Sequence, residues 1–211
     1  MPVAALSALQ GLRDKGRIQP GQKVLINGAS GGVGTFAVQL ANVFGAEVSG
    51  VCSTRNVGTV RSIGAHRVID YTQEDFTRGE ERYDLILDAV GNRNLADCRR
   101  ALATNGAIVL VGGSNKGRWL GPLPRVLGAA ASSPFLSQRL LPFLARVGRG
   151  DLEVMRELLE AGKITPVIDR SYPLSEVPEA IRHLEEGHAR GKIVITMERH
   201  GEAQRGGPGR E

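Results

Sequence analysis

The segment VLINGASGGVGTFAVQLA, residues 24–41, decides how the rest of the chain is read. An apolar, strand-like run ends at Asn27. Glycines follow at positions 28, 31, 32 and 34, and an amphipathic stretch with helical spacing then begins. Glycine lets a backbone turn tightly and come close to a ligand. The unpaired N–H groups at a helix start, helped by the helix dipole, then attract a pyrophosphate. A tight structural turn can use the same residues, so the glycines alone say little. In the order strand, turn, helix they form a dinucleotide-binding signature. A Walker-type phosphate loop is excluded, because no Gly-Lys-Ser/Thr follows. Two spacings fit: G-x-x-G-x-x-G (Gly28, Gly31, Gly34) and G-x-x-x-G-x-G (Gly28, Gly32, Gly34). On either, Gly28, Ser30, Gly31, Gly32, Val33 and Gly34 are candidate cofactor-binding residues.

Outward from this turn, strand-like runs alternate with helical ones. The strand-like runs are residues 23–27, 47–51, 67–71, 84–90 and 107–113, and most are continuously apolar. Strands covered on both faces read that way, as in a parallel sheet flanked by helices. Helices are expected over residues 33–44, 57–63 and 95–103. Repeated β–α–β units predict an α/β class chain with a doubly wound parallel sheet of Rossmann type, in the order 3-2-1-4-5 with residues 23–27 central. Farther on, residues 135–147 look helical, interrupted by Pro142. Asp151 suits the N-cap of a helix ending near Gly162, and Ser175 opens another. Residues 192–197 read as a final strand. Residues 1–20 form a leading helix, 21–133 the dinucleotide-binding domain, and 134–197 a further segment. The Gly-rich polar tail, 198–211, is expected to be disordered.

The chain has 211 residues, 41% hydrophobic and 23% charged, within the globular range. It contains no apolar run long enough for a membrane-spanning helix, and its first residues are too polar for a secretory signal. Cys52 and Cys98 are the only cysteines, so neither a disulfide framework nor a Cys-rich zinc site is available. We expect a cytoplasmic protein, not an integral membrane one. The net charge is +5, and no acid lies between Asp97 and Asp151, a stretch carrying Arg99, Arg100, Lys116, Arg118, Arg125, Arg139, Arg146 and Arg149. Such a region could attract anions, or it can be solvated helix faces. No aromatic-interleaved basic motif supports nucleic acid as a partner.

The second spacing resembles the short-chain dehydrogenases, which use a Tyr-x-x-x-Lys pair. Tyr71, Tyr83 and Tyr172 are followed four residues later by Asp75, Leu87 and Glu176, so that pair is absent. The first spacing resembles the medium-chain dehydrogenase/reductase superfamily, in its zinc-independent quinone-reductase-like branch. The likeness runs over nearly all of residues 1–197. It is carried by LSALQGL, PGQKVLINGASGGVG, GAHRVIDY, YDLILDAVGN, GAIVLVGG and GKITPVIDRSYPLSEVPEAIRHLEEGHARGKIVI. The departures are His66, where the family has Asp, and Ser7, where Thr is usual. The resemblance implies hydride transfer from NADPH to a quinone or enone. It also implies a GroES-like domain that this sequence lacks, so the chain looks truncated. Residues 134–197 would then be the C-terminal segment of the missing catalytic domain, and strand 192–197 would lack its partner. A second copy or a partner chain could supply the missing part. Alternatively, the chain is an NADP(H)-binding module without turnover. No residue stands out as catalytic. His66, His183, His188 and His200 are scattered without metal-ligand spacing, so no metal is expected.

An NAD-preferring domain of this kind carries an acid after the second strand, on the ribose 2′-hydroxyl. Here residues 51–56 read VCSTRN, without an acid. Hydroxyls and an Arg can bind a 2′-phosphate that a carboxylate would repel. NADP(H) is therefore the expected cofactor, with Ser53, Arg55 and Asn56 at its phosphate. The alternative for Arg55 is an ordinary exposed residue at a helix start. The resemblance brings Tyr71 to the adenosine side, and Arg190 and Lys192 towards the same phosphate. Gly91, Gly113 and Ser114 would flank the nicotinamide, although structural turns explain both glycines equally well.

Overall fold

The computed structural model describes residues 2–111, 137–186 and 190–197. Six parallel strands form the main sheet: β1 (Lys23–Asn27), β2 (Glu47–Cys52), β3 (Arg67–Asp70), β4 (Tyr83–Asp88), β5 (Leu102–Val111) and β6 (Arg139–Phe143). Their order is β3-β2-β1-β4-β5-β6, with β1 inside the sheet as the sequence predicts. The chain runs outward in one direction from β1 through β2 to β3, then returns to the other side of β1 for β4. That reversal opens a crevice at the carboxyl ends of β1 and β4.

The apolar strand runs are shared between two cores. In β1, Val24 and Ile26 enter one and Leu25 the other; in β4, Leu85 and Leu87 part from Ile86 in the same way. Period-two side-chain alternation sends successive apolar residues to opposite covered faces, so the run stays apolar throughout. The first core is covered by α1 (Pro2–Gln10), α2 (Gly34–Val43), α3 (Val57–Ser62) and α5 (Arg149–Glu160), and the second by α4 (Leu95–Arg100). Helix α1 belongs to the core: Leu6, Leu9 and Leu12, the last in the wider π-helical turn that follows, are fully buried.

Four expectations need correction. Residues 139–143, expected to be helical, form edge strand β6 beside β5, with Val111 opposite Phe143. Pro142 cannot donate inside a helix and clashes with the preceding turn, whereas an edge strand tolerates it. Leu141 and Phe143 face the first core and Leu140 the second, which is strand alternation. The main sheet thus extends past residue 133. Asp151 is not an N-cap: α5 starts at Arg149 after Gly148, and Asp151 lies in its first turn. Ser175 sits in a single 3₁₀ turn, after which α6 (Val177–Glu185) begins. Finally, β8 (Lys192–Thr196) does have a partner. It pairs in parallel with β7 (Ile168–Pro173) in a separate two-stranded sheet. The segment IDRSYP hides a strand because its charges and proline break the apolar run on which a sequence reading depends.

Asp151 instead ties the leading helix to α5. It accepts from Gln10 Nε2 at 2.6 Å and from Arg13 Nη2 at 2.6 Å, while Gln10 also exchanges two bonds with the Arg146 backbone. The Arg13 and Gln10 bonds hold the Asp151 carboxyl below the usual carboxylate range. A depressed folded-state value means the stabilisation is present above the unfolded value, near 3.8, and is lost as pH falls through the folded one. Asp151→Asn should therefore cost about 1 kcal/mol at pH 7. Urea melts of both proteins should converge as pH drops below about 3. A constant difference across that range would contradict the assignment.

Candidate dinucleotide site

The site begins where β1 stops. Gly28 has φ +87°, which L side chains rarely adopt, and its N–H and that of Ala29 both donate to the Val51 carbonyl, at 3.2 and 2.9 Å. This pins the turn to the end of β2. The chain then folds back so closely that a Cβ on Gly34 would lie 2.0 Å from the Gly28 carbonyl oxygen. No side chain fits there, and this fixes the start of α2 against the end of β1. Gly31 is different: a Cβ would meet only the Gly28 oxygen, at 3.3 Å. Gly32 faces Lys192, whose Nζ would be 2.4 Å from such a Cβ.

The N-terminus of α2 has no side-chain cap and no acid in its first turn. The amides of Gly32 and Val33 carry no hydrogen bond among the described residues. Two N–H groups without a partner among the described residues, at the start of a ten-residue helix and with an ammonium above them, form an arrangement able to hold an anion. Burial pushes the Lys192 ammonium below the usual lysine range, and Lys192 has no carboxylate partner among the described residues. A cleft of about 550 Å³ opens over this turn.

Of the residues singled out in the sequence, Gly28, Ser30, Gly31, Gly32, Val33 and Gly34 line that cleft from the turn. Ser53, Arg55, Asn56, Tyr71 and Lys192 close it from the β2 end, the β3 end and the start of β8. Arg55 and Tyr71 stand exposed at the mouth. Gly91 does not line the cleft. With φ +69° it shapes the turn after β4, and its neighbours Val90 and Asn92 are the ones that face inward. Gly113 and Ser114 lie outside the described residues. Arg190 does not reach this cleft; it borders a neighbouring one of about 780 Å³ that shares Arg55.

The sequence reading missed a buried polar network at the crevice floor. Asp88, at the end of β4, accepts from Asn27 Nδ2 at 2.9 Å and from the Val90 and Gly91 amides at 3.1 and 2.8 Å. Asn27 also donates to Asn92 at 3.1 Å. All these bonds to Asp88 fall on one oxygen; the other, Oδ2, is buried without a partner among the described residues. The signal was available: Asn27 and Asp88 are polar residues that end two otherwise apolar runs and sit opposite each other in register. Cys52 also borders the cleft, but burial pushes its thiol up to about 11. It stays protonated near neutrality and is no nucleophile there.

Fold and turn together define a Rossmann-type dinucleotide-binding protein. A family model described as zinc-binding dehydrogenase matches residues 63–195, and the chain belongs to that family. It is 36% identical to the NAD(P)H oxidoreductase RTN4IP1, mitochondrial, of Mus musculus, over 92% of this chain and 52% of that protein. To the chloroplast envelope quinone oxidoreductase homolog of Arabidopsis thaliana it is 30% identical, over 92% and 60%. The solved quinone oxidoreductase from Coxiella burnetii superposes with a TM-score of 0.80 at 29% identity, covering 94% of this chain and 59% of that one. The chain thus spans between half and three fifths of the length of these relatives. Despite the family's description, no group of three or more His, Cys, Asp or Glu side chains among the described residues is placed to hold a metal ion.

The glycines should separate folding from binding. Gly34→Ala should destabilise the fold by about 3 kcal/mol or more, since a backbone oxygen occupies the added carbon's place. Gly31→Val should keep nearly all the stability yet lose the dinucleotide. Thermal melts and dinucleotide titration of both variants test this; normal binding by Gly31→Val would show the site is misplaced.

Proposed function

We propose that this chain is the NADP(H)-binding part of an oxidoreductase that delivers hydride to a quinone or enone. The observation that carries the reading is the glycine cradle at the uncapped start of α2, with the Lys192 ammonium above it. The residues present fit the cofactor. The amides of Gly32 and Val33, with Lys192, would hold the pyrophosphate. Ser30, Ser53 and Arg55 would hold the 2′-phosphate, since no acid stands at the end of β2 to repel it. Tyr71 would lie against the adenosine. Bound there, the cofactor supplies a hydride.

The chain's own contribution is positioning. Asp88 gathers Asn27 and the Val90 and Gly91 amides, so the turn after β4 is fixed at the crevice where the nicotinamide would lie. No side chain is assigned as acid or base. The relatives support quinone or enone acceptors; among them are a protein named 2-methylene-furan-3-one reductase from Solanum lycopersicum and one named NADPH-dependent alkenal/one oxidoreductase, chloroplastic, from Arabidopsis thaliana.

One observation favours a second reading, a binding module that works through a partner. Ile168 on β7, Ile181 and Leu184 on α6, and Met197 just past β8 are large apolar side chains left exposed. A second copy or another chain could cover them and supply the other wall of an acceptor site. No helix among the described residues is long and apolar enough to cross a membrane. We propose a reducing compartment such as the cytoplasm, which suits its two unpaired cysteines.

Calorimetric titration should show NADPH binding at least tenfold tighter than NADH, because hydrogen bonds to a charged group are each worth about 1.5–3 kcal/mol. Arg55→Ala should weaken NADPH and leave NADH nearly unchanged. Equal affinities in the unmutated protein would overturn the NADP(H) reading.

A further inference from the structure

Two of the groups assigned to the 2′-phosphate are serines, and a hydroxyl can either donate or accept. A buried amide decides between these roles. Asn56 is buried, 5% exposed, at the start of α3. Its single amide nitrogen donates to Ser30 Oγ at 3.0 Å and to Ser53 Oγ at 3.1 Å. Both of its amide hydrogens are thereby used. Its oxygen, Oδ1, is buried with no partner among the described residues. Each serine oxygen therefore accepts from Asn56, and each hydroxyl hydrogen is left to point elsewhere. Both serines border the cleft.

We propose that Asn56 is a positioning residue that sets Ser30 and Ser53 as donors and so selects a phosphate on the ribose. The inference rests on the NADP(H) reading and deepens it. A phosphate dianion only accepts, so it gains from two hydroxyls that must donate. The opposite amide orientation would draw both serine hydrogens onto Asn56 Oδ1 and present lone pairs to the phosphate. A ribose 2′-hydroxyl both donates and accepts and is satisfied by either arrangement. Asn56 should therefore act on NADPH and hardly on NADH. It does so through the two serines, and the chain needs only one buried amide to fix two donors at once.

The test is a mutant cycle on the full chain, titrating NADPH and NADH, with 2′,5′-ADP and 5′-AMP as probes that lack the nicotinamide half. Asn56→Ala should reduce the NADPH preference roughly fivefold to tenfold while NADH affinity changes less than about twofold, the scale of one or two lost hydrogen bonds. The 2′,5′-ADP to 5′-AMP ratio should fall in parallel. In a Ser30→Ala/Ser53→Ala background the same substitution should have almost no effect on either ratio. If Asn56→Ala does not fold, Asn56→Asp replaces it. That side chain only accepts, so it turns both hydroxyl hydrogens away, and the serine-free background measures its added charge by itself. Equal losses for NADPH and NADH, or a loss that persists without the serines, would overturn the role of Asn56 and leave the NADP(H) reading intact. No preference for NADPH in the unmutated protein would overturn both.

Discussion

The backbone contact between Gly28 and Gly34 sets the geometry on which the site depends. Two segments that would ordinarily be held apart by side chains meet so closely that a single added carbon would overlap a carbonyl oxygen. The contact requires a left-handed Gly28 and a bare Gly34, and it brings the start of α2 directly over the end of β1. From it follow the unpaired amides at Gly32 and Val33 and the position of Ser30 beside Asn56. The sheet supplies the other half of the constraint. With β1 between β2 and β4, the turn lies where the strand order reverses, and the carboxyl ends of four strands converge on one cleft.

In the proposed function, specificity is built at the end of β2, where three kinds of group meet. Arg55 brings exposed charge at the surface, the serines bring short-range donors, and buried Asn56 brings orientation. A carboxylate in their place would satisfy a ribose hydroxyl and repel a phosphate, so the missing acid carries as much information as the residues present. Lys192 comes from a different sheet and approaches from above. A reading confined to the glycine turn has no access to it; it enters the candidate set only through the likeness of the C-terminal segment, and the structure supplies the contact with Gly32.

Much of the fold was legible because its central strands are covered on both faces and read as unbroken apolar runs flanked by helical spacing. Legibility failed where that condition failed. Edge strand β6 needs only a short run and carries Pro142; β7 is polar and half-exposed, and it pairs with β8 residues 23 or 24 positions away. In the site, glycines and the Ser53–Asn56 turn announce themselves by type and order. The Asn27–Asp88–Asn92 network and the Asn56 bridge do not, because each joins residues distant in sequence whose significance lies in which atoms are left without partners.

The central claim is that a dinucleotide pyrophosphate lies on the start of α2. The most direct measurement is the amide nitrogen–proton spectrum of the labelled protein during titration with NADPH. The account requires the largest shifts at the Gly32 and Val33 amides, with a matching change at the Lys192 ammonium and little at α5. Shifts absent from the 31–34 turn, or concentrated on a distant surface while binding saturates, would contradict it.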